Sequence, residues 1–231
     1  MTERGCRLTH RRPDTSRTFS GLPLSRTHVS VSGVNSEAER IIGLYQRHAD
    51  SFDRARGRGL FEKPWLDRFL ALLQPGASIL DLGCGSAEPI ARYFTEKGFH
   101  VTGVDSSPAL IDICRSRFPE QHWIVNDMRT LALSRRFDGI LAWDSFFHLC
   151  PEDQPQMFSI FKTHAAPHAP LMFTSGSVHG EAIGEFQGEP LYHGSLDTAE
   201  YRSLLEQNGF TVVSHVVEGS GGHTVWLAQL G

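Results

Sequence analysis

The run Ser78-Ile-Leu-Asp-Leu-Gly-Cys-Gly-Ser-Ala-Glu-Pro-Ile-Ala-Arg-Tyr-Phe constrains this chain more than any other stretch. Ile79, Leu80 and Leu82 form a short apolar run suited to a buried strand. Gly83 and Gly85 follow at once. Without Cβ atoms they let the backbone turn sharply and approach a ligand. Pro89 suits a first helical turn, where an N–H would find no partner. Strand, glycine turn and helix N-terminus together present orphan N–H groups to something polar.

The flanking pattern repeats this unit. His100-Val-Thr-Gly-Val-Asp, Trp123-Ile-Val-Asn, Phe137-Asp-Gly-Ile-Leu-Ala-Trp and Leu171-Met-Phe-Thr read as further strands. Helices are expected from Ser107-Pro108 to about Arg117 and from Pro151 to His164. Strands alternating with helices predict a parallel sheet with helices on both faces, a doubly wound α/β fold. Ahead of it, residues 36–52 read as a helix with Ser36 as N-cap and Glu39 three residues on, and 60–73 as a second. The last third departs from alternation. Residues 176–196 make a connection too long for an idle loop. Asp197 and Glu200 then form a capping pair for a helix ending at Gly209. Runs 211–218 and 223–230, joined by Gly-Ser-Gly-Gly, predict an antiparallel hairpin.

Charge is unevenly spread. Residues 1–33 hold six Arg against Glu3 and Asp14, a net +4, and since the whole chain is −4 the remainder carries −8. An acidic main domain argues against a nucleic-acid partner, which needs a basic footprint. Residues 1–33, rich in Arg, Ser and Thr, are expected to be a disordered basic tail whose removal leaves activity unchanged, or a targeting segment. Residues 34–231 are expected to form one domain, with 34–74 as a helical cap. Cys6, Cys84, Cys114 and Cys150 show no metal spacing and read as reduced thiols of a cytoplasmic protein. No apolar run is long enough to span a membrane.

A dinucleotide site would need a third glycine where this chain has Glu88, and a carboxylate facing phosphates repels them. Asp105, followed by Ser106, ends the second strand, where an acid accepts both hydroxyls of a ribose. Asn126-Asp127-Met128 ends the third. There an acid can accept from an adenine amine while a backbone N–H meets a ring nitrogen. Asp81 lies at the edge of the glycine turn, placed either to orient that turn or to meet an ammonium. Acids at the ends of successive strands suit an uncharged adenosine bearing a cationic tail.

Taken together, Ile79-Leu-Asp-Leu-Gly-Cys-Gly, Val101-Thr-Gly-Val-Asp, Asn126-Asp-Met and Phe137-Asp-Gly-Ile-Leu-Ala-Trp resemble the class I S-adenosylmethionine-dependent methyltransferases. The likeness covers roughly residues 36–230, with Ala87 where many members have a third glycine. It implies a Rossmann-like seven-stranded sheet of order 3-2-1-4-5-7-6 with the last strand antiparallel, and S-adenosylmethionine as cofactor. It further implies that Gly83 and Gly85 approach the methionine part, Asp105 the ribose, and Asp127 with the Met128 backbone the adenine. Tyr45 either closes over the methionine end, as similar helices do in the family, or packs in the core.

On the acceptor side, Asp144-Ser-Phe-Phe-His148 follows the fourth strand. His148 is the candidate general base and Asp144 the candidate orienter of the substrate or its amine. In the family the segment after the fifth strand often forms a substrate lid. Here it offers His179, Tyr192 and His193, and its polar side chains of both signs suggest a small polar or cationic substrate. No compact ligand spacing supports a metal site among His179, Glu181 and His193. His223 opens the last run at the same sheet edge. The expected reaction is in-line methyl transfer to a small polar metabolite. The alternatives are methylation of a protein or other macromolecule, and a non-catalytic cofactor-binding protein.

Overall fold

The computed structural model describes residues 31–219 and 223–231. Residues 1–30 of the expected tail, and 220–222 of the expected hairpin turn, lie outside the described residues. Seven strands form one sheet: β1 (Ser78–Leu82), β2 (His100–Asp105), β3 (His122–Val125), β4 (Gly139–Ala142), β5 (Pro170–Ser175), β8 (Phe210–Glu218) and β9 (His223–Leu230). Their order is β3-β2-β1-β4-β5-β9-β8. β9 is inserted antiparallel between β5 and β8, and the other four pairings are parallel. A separate hairpin, β6 (Gly180–Phe186) with β7 (Glu189–Ser195), accounts for the two extra strand numbers. The order is otherwise the expected one.

Period-two alternation divides the core between the faces of the sheet. Leu80, Leu82, Ile140, Phe173 and Trp226 pack under α6 (Gln154–His164) and α7 (Thr198–Gln207), against Phe158, Phe161, Tyr201 and Leu205. Ile79, Val101, Leu141 and Met172 pack on the other side. There they meet Leu66 and Phe69 of α3 (Lys63–Leu70), Phe94 of α4 (Ile90–Glu96) and Ile111 of α5 (Pro108–Arg117). Each such side chain, fully buried, is worth about 1.5–3 kcal/mol relative to exposure. The Asp197–Glu200 capping box forms as expected at the start of α7.

Three local expectations are corrected. Residues 31–33 belong to helix α1 (Val31–Arg47), so Ser36 lies within a helix rather than at its start. The helix expected over 36–52 is two helices, α1 and α2 (Ala49–Arg56), broken at His48. The helix expected over 60–73 begins only at Lys63, where Pro64 occupies the first turn, and ends at Leu70. The long connection is the regular β6–β7 hairpin, whose Leu191 and Tyr192 bury against Ile41 and Leu44 of α1.

Candidate active site

The glycine turn is built by extending the β1–β2 pairing past the strand. The N–H groups of Gly83 and Cys84 both donate to the Val104 carbonyl, at 2.7 and 3.1 Å. Gly83 and Gly85 sit at φ +74° and +56°, the left-handed region that favours glycine. The turn is also crowded. A Cβ at Gly83 would lie 2.2 Å from Ser145 Cβ, and one at Gly85 2.9 Å from the Phe52 ring. Asp105 locks the turn from β2, accepting from Gly85 N–H at 3.0 Å on one oxygen and from Ser107 N–H at 2.9 Å on the other.

In front of this turn lies a cavity of about 300 Å³. Gly83, Gly85, Asp105, Ser106, Asp127 and Met128 line one side, Asp144, Ser145 and His148 the other, and Ile41, Ile42, Tyr45 and Phe52 the roof. Thus seven of the eight residues expected at the cofactor, and both expected at the chemistry, face one space. Asp81 is the exception. It is 4% exposed and lies beneath the turn, beside Asp105 and Arg56. Burial and the neighbouring Asp105 charge push its pKa up to about 7, against the pull of Arg56. Burial likewise pushes Asp105 up to about 6, despite its backbone hydrogen bonds.

Two acids held above their ordinary range by burial are a site short of positive charge. That suits a ligand with a diol and a cation. The cationic side chain lining the cavity, Arg129, is already taken. It grips both Asp127 oxygens and donates to Asp153 at 2.8 Å. Burial raises the Asp127 pKa, but the Arg129 contacts more than offset it and leave it below its ordinary value. An adenine amine would therefore share that carboxylate with Arg129. Glu88 does not line the cavity: it is buried against Arg92 at 2.7 Å, with Arg58 at 3.7 Å. The repulsion expected between Glu88 and a phosphate is thus neutralised, and the buried Asp81–Asp105 pair, which Arg56 offsets only in part, supplies the argument against phosphate instead.

On the acceptor side, Tyr45 and His148 meet across 103 residues, Tyr45 Oη lying 2.9 Å from His148 Nε2. The other ring nitrogen lies 2.7 Å from the Tyr192 carbonyl. A carbonyl only accepts, so Nδ1 carries the hydrogen and Nε2 accepts from the Tyr45 hydroxyl. Burial and the nearby His193 hold the His148 pKa down to about 3, so the ring is neutral. Burial, and then Asp105 and Asp144, push the Tyr45 hydroxyl well above its usual pKa. Asp144 adopts φ +47°, with its N–H donating to Thr174 Oγ1 at 2.8 Å.

None of the three expected substrate contacts lines the cavity. His179 is exposed and pairs with Glu200 at 2.8 Å, drawn to the start of α7. Tyr192 is buried and donates to Glu181 at 2.6 Å. His193 packs behind His148, ring centroids 5.1 Å apart. The hairpin therefore braces the roof and His148 from behind. Among the described residues no group of His, Cys, Asp or Glu is arranged to hold a metal. Phe52, Arg129 and Asp153 were missed by sequence reasoning. Arg129 had a signal, lying two residues after Asp127 on a turn that this acid caps.

The sheet order, with a cavity at the carboxyl ends of β1, β2 and β4, defines the class I methyltransferase architecture. Residues 50–215 match the family model of the methyltransferase domain. The chain belongs to this methyltransferase family, as a class I S-adenosylmethionine-dependent enzyme. A malonyl-[acyl-carrier protein] O-methyltransferase of Serratia marcescens is 29% identical over 177 residues, 74% of this chain and 67% of that protein. Its namesake in Pseudescherichia vulneris is 29% identical over 148 residues, 63% of this chain and 56% of that one. The chain thus spans between about half and two thirds of these relatives' length. Among solved structures, Burkholderia thailandensis 1,6-didemethyltoxoflavin-N1-methyltransferase, with bound 1,6-didemethyltoxoflavin and S-adenosylhomocysteine, superposes with a TM-score of 0.68. It is 17% identical, over 95% of this chain and 98% of that one, a likeness of fold. No described helix is long and apolar enough to cross a membrane.

Proposed function

We propose that this protein methylates a small polar metabolite in the cytoplasm. The observation that carries the reading is that the cofactor-side and acceptor-side residues share one cavity roofed by α1 and α2. Asp105 accepts from the ribose hydroxyls, Asp127 and the Met128 backbone hold the adenine, and Asp81 lies beneath to balance a cationic tail. When bound, the cofactor supplies an electrophilic methyl group with a good leaving group. The chain's own task is therefore alignment and exclusion of water. Tyr45 and Phe52 exclude water from the roof. His148 acts as base through Tyr45, whose hydroxyl passes its hydrogen to Nε2 as it takes one from the acceptor. A ring with a pKa near 3 holds that proton only transiently. Free thiols at Cys84, Cys114 and Cys150 support a reducing compartment.

A carrier-borne acceptor is the second reading, favoured by the names of the Serratia and Pseudescherichia relatives. The roof over the cavity supports the free small molecule. Incubating the protein with methyl-labelled S-adenosylmethionine and a fractionated cell extract separates the readings. Label in the small-molecule fraction is expected. Label confined to the protein fraction would overturn the proposal in favour of a carrier or protein substrate, and cofactor binding without any label would leave a non-catalytic binder.

A further inference from the structure

The last strand reaches the acceptor side through one side chain. His223, at the start of β9, places Nε2 3.1 Å from Asp144 Oδ1 and Nδ1 3.2 Å from Glu218 Oε2. Carboxylates only accept, so both ring nitrogens carry hydrogens and the ring is an imidazolium. Burial pulls its pKa down, and Asp144 and Glu218 more than offset this, leaving it above the ordinary histidine value. The groups facing it are Asp144 at the end of β4, Glu218 on β8 and the ring of Trp143, 6.1 Å away between centroids. Glu218 is anchored in turn by Trp65 Nε1 of α3, at 2.7 Å.

Asp144 is thereby held on one side only. Oδ1 accepts from His223 and from Thr174 Oγ1 at 3.2 Å, while Oδ2 is buried with no partner. A buried carboxylate oxygen without a donor is costly, and a ligand can supply what is missing. Asp144 lines the cavity, and so do Glu39 and Asp153, whereas the guanidinium of Arg129 is already bound by Asp127 and Asp153. A carboxylate acceptor would meet like charge there, and an amine would meet a waiting acceptor.

We propose that His223 is a positioning residue that fixes Asp144 so that Oδ2 receives an N–H of the methyl acceptor, selecting an amine over a carboxylate. This rests on the function proposed above, and it deepens the O-methyl chemistry of the named relatives into a difference in acceptor class. Asp144→Asn keeps the left-handed backbone, which Asn tolerates, and removes the charge. His223→Ala removes the brace, and His223→Gln restores a donor.

The test uses the full chain, with benzylamine and benzoate as probes of one ring size and opposite charge, and nuclear magnetic resonance to follow binding and the histidine rings. Benzylamine is expected to bind about tenfold or more tightly than benzoate, the size of one charge-assisted hydrogen bond. Asp144→Asn is expected to abolish that preference and to lower the His223 titration toward its ordinary value. His223→Ala weakens benzylamine several-fold and His223→Gln recovers most of the loss, with S-adenosylmethionine affinity unchanged by calorimetry in both. Benzoate binding as tightly as benzylamine overturns the inference. So does an unchanged preference in His223→Ala, a result that decides the matter even if Asp144→Asn fails to fold. Failure of the wild-type protein to bind S-adenosylmethionine overturns instead the function on which the inference rests.

Discussion

Asp105 shows how much one side chain can carry. Its two oxygens hold Gly85 and Ser107, and it lines the cavity where a ribose would lie. Asp105→Ala is expected to weaken S-adenosylmethionine binding about 100-fold by calorimetry, since two charge-assisted hydrogen bonds of about 1.5 kcal/mol or more each are lost. An affinity within twofold of wild type would remove Asp105 from the cofactor site. His148 carries a different expectation. Its Nε2 contacts Tyr45 rather than the cavity's reacting centre directly. His148→Ala should lower kcat by about 10- to 100-fold, the low end of acid–base contributions, while cofactor affinity stays near wild type. Tyr45→Phe should produce a loss of similar size if the two act as one relay, and steady-state kinetics on the identified acceptor would show it.

At the scale of elements, the glycine turn and the roof depend on close approach. A Cβ at Gly83 meets Ser145, whose own hydroxyl donates to the Leu82 carbonyl at 2.6 Å and cannot move aside freely. Gly83→Ala is expected to cost about 1–3 kcal/mol, read as a fall in Tm, and to abolish cofactor binding. The roof is tied down by Leu44, 2% exposed and packed with Ile41, Leu191 and Tyr192. It is also tied by Gln46, which receives the Ser107 hydroxyl at 2.9 Å and the Ala109 N–H at 3.0 Å. Leu44→Ala removes about 2–5 kcal/mol of packing. Hydrogen exchange should then quicken in α1 while the central strands β1, β4 and β5 keep their protection.

For the whole molecule, pH links the site to the charge of the domain. Asp81 and Asp105 titrate near 7 and 6 in the folded protein, above the ordinary 3.8. Both are raised acids, so the folded chain binds more protons than the unfolded one between about pH 4 and 7, and their contribution to stability falls as pH rises through that window. His148, held down near 3, contributes in the opposite sense up to its ordinary value of 6.5. A cationic ligand favours the ionised acids. S-adenosylmethionine affinity should therefore weaken by about tenfold or more between about pH 7.5 and 5.5, with proton release on binding at the acid end. A pH-independent Kd over that range, measured by calorimetry in two buffers of different ionisation enthalpy, would contradict this assignment.

Much of this was legible along the chain because it is local. The alternation of Ile79, Leu80 and Leu82, the two glycines and the capping pair Asp197–Glu200 each act within a few residues, and the sheet follows from repeating such units. The acids Asp105, Asp127 and Asp144 were legible as well, since each lies at the carboxyl end of a strand, where an open α/β sheet binds its ligands. What the acids do was not legible. Asp127 is drawn to Arg129, and His179 is drawn to Glu200 away from the cavity. Tyr45 finds His148 across 103 residues, and His223 finds Asp144 across 79. That last contact exists because β9 inserts antiparallel beside β5, which brings the start of the final strand to the carboxyl ends of its parallel neighbours. Local preference sets the periods and the turns. The partner of a buried charge is settled by which distant element the packed sheet brings within hydrogen-bonding reach.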